Sequence, residues 1–328
     1  MKIWQKNRVS SPPPSLDHLK RILVIRLGAL GDMVLCNAAF SAIHNRWPLA
    51  EKALLTGPAF VHFGWQMPYF DKVMADPRPQ WHQWKEAAAL YQQIRDFSPD
   101  LVIDLQGKPR QNFLYRLLKL SHPHLLWCGA APGCSHPRLW PPEADWHFLD
   151  MVAAQLSTLG VEAEPWPRLG WMRADIARLN VPEKYVVLIV GSAPERPEKR
   201  WPIAHYAQLA RHMVAHGFSV VAVGSGAEAT LIQHLCELEP AVINICGQTN
   251  LAELATVLRG AHSVVGNDTG PSHMAAAVGT PTLTLFHGDV NPGWSAPRGK
   301  NCRYLIDSKI DNLRLENVYE AWLISAQK

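Results

Sequence analysis

Residues 266–274 are rich in potential ligand-binding groups, in the order Gly-Asn-Asp-Thr-Gly-Pro-Ser-His-Met. They follow a segment with the pattern of a buried strand and begin one with the pattern of a helix. Thr269, Gly270 and Ser272 are small, so their backbone N–H groups at the helix start are open to an anion, which the helix dipole also favours. Pro271 suits the first helical turn. The segment therefore predicts a site for an anion such as a phosphate.

His273 and Asp268 add two side chains to this predicted anion site. The imidazole of His273 is a hydrogen-bond donor for a phosphate, whereas Asp268, an anion beside an anion site, suits the hydroxyl groups of a sugar. A hydrolase triad of Ser272, His273 and Asp268 is disfavoured because residues adjacent on one helix do not face each other. A helix cap with a hydrogen-bonded histidine explains the same spacing about equally well.

A second loop, residues 26–32, has the sequence Arg-Leu-Gly-Ala-Leu-Gly-Asp and follows the first predicted strand. Its two glycines permit a tight turn and the close approach of a ligand. The loop lacks the G-x-G-x-x-G dinucleotide pattern, and the chain lacks a Walker lysine motif. Asp32 opens the next helix, and by residue type alone a capping role is favoured over that of a general base acting on a sugar hydroxyl.

Two further polar loops follow predicted strands in the second half of the chain. Residues 191–201 contain Ser192, a candidate cap or phosphate ligand, and Lys199, a cation suited to a diphosphate leaving group. Residues 224–228 end in Glu228, which is suited to accept hydrogen bonds from ribose hydroxyls. A solvated charge run explains the first of these loops by itself, but all four loops lie where ligands bind in open α/β sheets.

Predicted strands alternate with predicted helices along both halves, and a proline-rich stretch separates them. This pattern predicts an α/β protein with parallel sheets, arranged as two Rossmann-like domains that face a central cleft. The predicted organisation is a loose leader at 1–20, a first domain at 21–165, a linker at 166–184, a second domain at 185–308 and a C-terminal helix at 309–328.

The composition of the 328 residues excludes several classes of protein. Apolar residues make up 48% and charged residues 18%, so the chain is not of a disordered type. The net charge of +4 is too small for a typical nucleic-acid binder, and all of the excess lies in residues 1–170. The six cysteines form no C-x-x-C pair, and no signal or membrane-spanning segment is recognised. These features predict a cytoplasmic protein.

Four segments together resemble glycosyltransferase family nine, the ADP-heptose:lipopolysaccharide heptosyltransferases, in order and spacing. They are R-L-G-A-L-G-D at 26–32, D-L-V-I-D-L-Q-G at 100–107, K-R-W-P at 199–202 and D-T-G-P-S-H-M-A-A-A-V-G-T-P at 268–281. The last of these is the most specific, and the resemblance spans about 20–305. It implies a GT-B fold, with the acceptor on the first domain and the nucleotide sugar on the second, and an inverting displacement that requires no metal.

The resemblance implies a role for each loop when the family's residues are carried over by position. Asp32 would deprotonate the acceptor hydroxyl that attacks the anomeric carbon, which outweighs its capping interpretation, and Lys199 would assist catalysis by stabilising the departing ADP. Asp268 would contact the heptose, Glu228 the ribose and Thr249 the adenine. The implied donor-binding residues are Ser192, Lys199, Glu228, Thr249, Asp268, Thr269, Gly270, Pro271, Ser272 and His273.

No cofactor is expected, since ADP-heptose would be a substrate. The chain contains no D-x-D motif, which holds a divalent metal in many glycosyltransferases. A lysine, a histidine and a helix N-terminus are a coherent metal-free substitute for charge stabilisation at the leaving diphosphate.

The resemblance also implies an acidic acceptor, a Kdo-bearing lipid A core at the inner leaflet. Gly31, Lys108 and Arg110 are the candidate acceptor-binding residues. The two cations, Lys108 and Arg110, lie near a strand end, where positive charge steers an anion. Arg116 and Lys119 fit a solvated helix face instead. The expected partners are therefore a nucleotide sugar and this acceptor, with weak peripheral contact to the cytoplasmic face of the inner membrane and no nucleic acid.

Two alternative functions remain open on the sequence. One is a GT-B enzyme that uses another nucleotide sugar, either as a transferase or as an epimerase. The other is a non-catalytic nucleotide-binding protein, which would bind ADP without turnover and would tolerate the loss of Asp32.

Overall fold

The computed structural model describes residues 16–80, 82–138 and 146–326. They form two six-stranded sheets, and every strand pair in both is parallel. The predicted α/β class with two parallel sheets is therefore confirmed. Near-continuous apolar strands such as Arg21–Ile25 and Tyr185–Ile189 favour parallel sheets, because the strands of such sheets are covered on both faces.

The first sheet has the strand order β3-β2-β1-β4-β5-β6. Its strands are β1 (Arg21–Ile25), β2 (Glu51–Thr56), β3 (Lys72–Ala75), β4 (Leu101–Asp104), β5 (Leu126–Gly129) and β6 (His136–Pro137). The order reverses between β1 and β4, and ligands in open α/β sheets bind at such a switch point, beyond the carboxyl ends of the strands.

The second sheet has the order β12-β11-β10-β7-β8-β9. Its strands are β7 (Tyr185–Ile189), β8 (Ser219–Ala222), β9 (Val242–Asn244), β10 (Ser263–Asn267), β11 (Thr282–His287) and β12 (Cys302–Asp307). Here the switch point lies between β7 and β10. The two switch points thus fall beside the loops at 26–32, 191–201 and 266–274, three of the four polar loops identified in the sequence.

The helices lie on both faces of the sheets. They are α1 (Leu30–Leu35), α2 (Asn37–Arg46), α3 (Val61–Gln66), α4 (Trp84–Phe97), α5 (Pro109–Ser121), α6 (Phe148–Ser157), α7 (Ile203–Ala215), α8 (Ala229–Leu238), α9 (Leu251–Gly260), α10 (Gly270–Ala277), α11 (Pro292–Ser295) and α12 (Leu315–Ala326). In the first domain α2, α3 and α6 cover one face of the sheet, and α4 and α5 cover the opposite face. No helix of the described residues is both long and apolar enough to span a membrane.

Both ends of the first domain are held by packing. Residues 1–15 of the predicted leader lie outside the described residues. Its last part is packed rather than loose, because Leu16 and Leu19 are buried and the indole of Trp47 donates to the carbonyl of Leu16 at 2.8 Å. In the connection between the domains, the backbone N–H of Leu169 donates to Ala277 O of the second domain at 2.9 Å.

Candidate active site

A cavity of about 520 Å³ lies between the carboxyl edges of the two sheets, and all four polar loops line it. One wall is the start of α1, including Asp32. The other wall contains Lys199, Glu228 and the start of α10 with His273. The structure therefore brings together residues as far apart in the sequence as Asp32 and His273.

The two walls touch where α1 meets α10. A Cβ placed on Gly31 would lie 2.8 Å from His273 Cδ2, and a Cβ placed on Gly270 would lie 2.8 Å from Leu30 Cβ. Both glycines are needed because any larger residue would push the walls apart. Gly31, predicted to bind the acceptor, thus contacts the second domain directly in this structure.

The start of α10 has the geometry of an anion site. Among the described residues the backbone N–H groups of Thr269 and Gly270 have no acceptor, and both residues line the cavity. The amide of Ser272 instead donates to Thr269 O at 3.0 Å, and its buried hydroxyl donates to Asn267 O at 2.7 Å. Two amides, rather than the three expected from the sequence, are therefore free for a phosphate.

Lys199 stands beside this helix end in a nearly buried ion pair. Its Nζ lies 2.7 Å from Asp268 Oδ2, and Asp268 Oδ1 lies 4.0 Å from His273 Nε2. Asp268 therefore orients the cation toward the cavity and retains Oδ1 for a further partner. The lysine charge is fixed close to the two free amides, which is the arrangement that stabilises a developing anion.

His273 is buried on the same wall, and its Nδ1 has no hydrogen-bond partner among the described residues. Burial lowers the pKa of His273 to about 4, although the charges of Asp268 and Asp32 act in the opposite direction. The imidazole is therefore neutral near pH 7, so it donates a hydrogen bond without adding a charge.

Asp32 faces these groups from the first domain. Its Oδ2 accepts from the Ala29 N–H at 3.1 Å and pairs with Arg26 Nη2 at 2.7 Å, so the capping interaction exists. Its Oδ1 makes no hydrogen bond within the described part of the chain, and the side chain is 41% exposed. A cap and a cleft carboxylate are thus compatible, because each role uses a different oxygen.

The sequence interpretation gave no role to Arg26, which holds Asp32 in place. This guanidinium is buried, donates from Nη1 to Leu105 O at 2.7 Å and lies 4.7 Å from the ring centroid of Phe148. The available signal was the position of Arg26, directly after an apolar strand. A charged residue there is expected to be buried, and buried charges in proteins are paired.

A smaller apolar pocket of about 250 Å³ opens beside Glu228 and Thr249. Glu228 Oε2 accepts from the backbone N–H and hydroxyl of Ser225, at 2.7 and 2.6 Å, which closes a capping box. The remaining lining is mainly aliphatic and suits a flat heterocycle: Leu30, Ile189, Val223, Leu251, Leu254 and Pro271. A nucleoside with its base in this pocket would place its ribose near Glu228.

Two predicted ligand contacts have other partners in the structure. The hydroxyl of Ser192 donates to Arg196 O at 2.8 Å and accepts from Arg200 Nε at 3.0 Å, so it fixes the loop after β7. Arg110 Nη2 pairs with the buried Asp76 carboxylate at 2.8 Å, and its charge is compensated. Lys108, at the start of α5, is exposed and remains a candidate for an anionic acceptor.

Comparison with known proteins gives concordant results. The family model described as glycosyltransferase family 9 (heptosyltransferase) matches residues 87–314. The lipopolysaccharide core heptosyltransferase OpsX of Haemophilus influenzae is 25% identical over 283 residues, which are 81% of this chain and 79% of that protein.

Solved structures of similar fold were also found. A family 9 glycosyl transferase from Veillonella parvula has a TM-score of 0.80 at 20% identity, covering 95% of this chain and 98% of that one. The E. coli heptosyltransferase WaaC with ADP-2-deoxy-2-fluoro heptose has a TM-score of 0.70 at 20% identity, covering 93% and 99%. These likenesses confirm the predicted two-domain GT-B fold.

Proposed function

The chain belongs to glycosyltransferase family 9, the heptosyltransferases, and on this premise we propose that it transfers heptose from ADP-L-glycero-D-manno-heptose to the Kdo/heptose inner core of lipopolysaccharide. The observation that supports this proposal best is the cavity itself. The open oxygen of Asp32 lies on one wall, and a lysine with free helix amides lies on the other. A nucleophile activator and an anion-stabilising group thus face the same space.

The second domain would bind the donor. The adenine fits the apolar pocket beside Thr249, and the ribose lies within reach of Glu228. The diphosphate then extends to the amides of Thr269 and Gly270 and to Lys199. The E. coli relative crystallised with an ADP-fluoroheptose supports the choice of donor, and Asp268, which retains one open oxygen, is placed for the sugar hydroxyls.

The reaction would be one direct displacement. The acceptor hydroxyl oxygen attacks the anomeric carbon while the bond from that carbon to the diphosphate oxygen breaks, so the configuration inverts. The hydroxyl proton passes to Asp32 Oδ1, and the negative charge that leaves with ADP meets Lys199 and the α10 amides. Lysine and amides provide this stabilisation without a metal ion, which makes metal independence part of the proposal.

The acceptor would bind at the first domain. OpsX is described as acting on the lipopolysaccharide core, and a phosphorylated or carboxylated lipid core is anionic. Lys108, an exposed cation at the start of α5, would attract it. Such an acceptor lies in a membrane, so we propose that the protein makes weak peripheral contact with the cytoplasmic face of the inner membrane.

The test is transfer from ADP-heptose to a Kdo-lipid A acceptor in EDTA, for the wild type and Asp32→Asn. We expect turnover in EDTA, a fall in kcat of about 10²–10⁴-fold in the variant, and unchanged ADP affinity by calorimetry. Asp150→Asn is the matched control, because Asp150 is also a first-turn acid paired with an arginine, Arg298, but does not line the cavity.

Three results would contradict the proposal. Turnover of Asp32→Asn within a few-fold of the wild type would remove its role as base. Activity that requires an added divalent metal would exclude the metal-free mechanism. Tight ADP binding without transfer to any core acceptor would favour a non-catalytic nucleotide-binding protein.

A further inference from the structure

The outer surface of α4 and α5 exposes large apolar side chains. Trp84, Phe113 and Leu120 are 67%, 62% and 82% exposed. Phe113 and Leu120 are seven residues apart on α5, so they lie on one side of that helix. We call this surface the α4–α5 face. Isolated exposed apolar residues are common, but several in one contiguous patch indicate an interaction site.

A groove of about 390 Å³ runs between the two helices of the α4–α5 face. The inward sides of α4 and α5, including Ile94 and Leu118, already pack against the first sheet. Mainly apolar residues line the groove, and two of them, Tyr91 and Leu114, also pack partly against the core beneath: Trp84, Ala87, Tyr91, Phe113, Leu114 and Leu117. One end reaches Asp76 and Arg110, just beyond the carboxyl end of β3.

The charge around the α4–α5 face is strongly asymmetric. Residues 105–142 contain no acidic residue, and α5 with the residue before it carries four arginine and lysine residues: Lys108, Arg110, Arg116 and Lys119. Arg116 is exposed and lies between Phe113 and Leu120 on the same side of α5. On α4, Lys85 Nζ lies 5.5 Å from the Trp84 ring centroid, and Glu86 and Asp96 are the acids of that helix.

We propose that the α4–α5 face docks on an anionic lipid bilayer. Aromatic side chains such as Trp84 and Phe113 partition into the headgroup boundary, and exposed cations such as Arg116 and Lys108 are attracted to anionic headgroups. Each contribution is modest, so the attachment is reversible. The inference rests on the proposed function in one respect: docking here brings the carboxyl edge of the first sheet toward a lipid-borne acceptor.

The first test is flotation of the full-length chain with vesicles of phosphatidylethanolamine and phosphatidylglycerol, against vesicles of phosphatidylcholine. We expect binding to the anionic vesicles that weakens as salt is raised. The double variant Trp84→Ser/Phe113→Ser should lower the partition coefficient by about tenfold or more. Both side chains are largely exposed, so the fold should persist, which circular dichroism and thermal unfolding would verify.

Trp65→Ser is the matched control. Trp65 is 54% exposed, but it lies on α3, which packs on the opposite face of the same sheet. An equal loss of vesicle binding in this control, or full binding by the double variant, would overturn the proposal. So would a dimer that the double variant dissociates without changing vesicle binding, because the face would then serve protein association.

Transfer assays separate this inference from the proposed function. The double variant should lose kcat/KM on a vesicle-borne acceptor and keep the wild-type value on a water-soluble, deacylated acceptor. Wild-type transfer to both acceptors with no effect of the double variant would overturn the docking face and leave the transferase intact. Vesicle binding that depends on Trp84 and Phe113, without transfer to either acceptor, would support docking and contradict the proposed reaction.

Discussion

The two walls of the cleft differ in how their charged groups are held. On the second domain, Lys199 and Asp268 form a nearly buried pair beside a neutral, buried His273. On the first domain, Asp32 is 41% exposed and keeps one oxygen without a partner, while its counter-ion Arg26 is buried behind it. The wall of the second domain, which we call the donor wall, thus has its charged groups held by one another. The wall of the first domain, which we call the acceptor wall, presents an open carboxylate.

This difference agrees with the proposed roles of the two domains, in which the second binds the donor and the first supplies the base. A leaving diphosphate needs donors fixed where its charge develops, because preorganised groups do not have to reorganise during the reaction. A base needs a free lone pair that a hydroxyl can approach. Substitutions that change one wall and leave the other intact therefore test this difference between the walls directly.

After Asp32→Asn, the largest effect is expected from Lys199→Met, which removes the fixed charge of the donor wall. We expect kcat to fall by about 10²–10³-fold, with a weaker affinity for ADP, since both the ground state and the transition state carry phosphate charge. The measurement is steady-state transfer together with calorimetry of ADP binding.

Two further variants make the Lys199 experiment specific. Lys199→Arg keeps a cation near Asp268 and should recover part of the lost activity. Lys184→Met is the control, because Lys184 is an exposed cation just before β7 that lies 4.4 Å from the Phe218 ring and not in the cavity. If Lys199→Met retained wild-type kcat, the donor wall would not stabilise the leaving group.

The geometry of the donor wall follows most directly from the sequence. Its anion site depends on residues 268–273, which are contiguous, and a helix start presents its N–H groups wherever it occurs. Even here the sequence could not show that the Ser272 amide is turned to Thr269 O, or that the Ser192 hydroxyl is used by Arg196 and Arg200. Such hydrogen bonds depend on loop conformation rather than on residue type.

The acceptor wall was less predictable because its partners are distant in the sequence. Arg26 binds Leu105 O across 79 positions, and Arg110 finds Asp76 across 34. Both pairings follow from the strand order that places β1 beside β4 and β3 near α5, and no local sequence signal identifies the partner in either of them. The alternation of strands and helices, by contrast, was sufficient to predict two parallel sheets, because hydrophobic periodicity is local.

A second prediction concerns the buried imidazole of the donor wall. The pKa of His273 is about 4 in the folded protein and about 6.5 in an unfolded chain. Between these values the unfolded chain binds a proton that the folded protein does not, so the free energy of unfolding falls as the pH falls. For this group the loss between pH 7.5 and pH 5 is about 2 kcal/mol.

Urea unfolding at the two pH values measures this effect. His273→Gln should remove about 2 kcal/mol of the pH dependence that the wild type shows over this range. His62→Gln is the control for replacing a histidine outside the cavity, since His62 is exposed on α3. An identical pH dependence in the wild type and His273→Gln would mean that the imidazole on the donor wall accepts a proton as readily as an exposed one.

The smallest effect is expected at the rim of the acceptor wall. Lys108 is exposed at the start of α5, and unlike Arg110 it has no carboxylate partner among the described residues. Lys108→Gln should lower kcat/KM for an anionic acceptor by about three- to tenfold at low salt, and the deficit should shrink as screening increases. The affinity for ADP should not change, because Lys108 does not line the donor wall.

Lys300→Gln, at an exposed cation of the second domain, is the control. A salt-independent deficit, or an equal deficit in the control, would show that Lys108 does not attract the acceptor electrostatically.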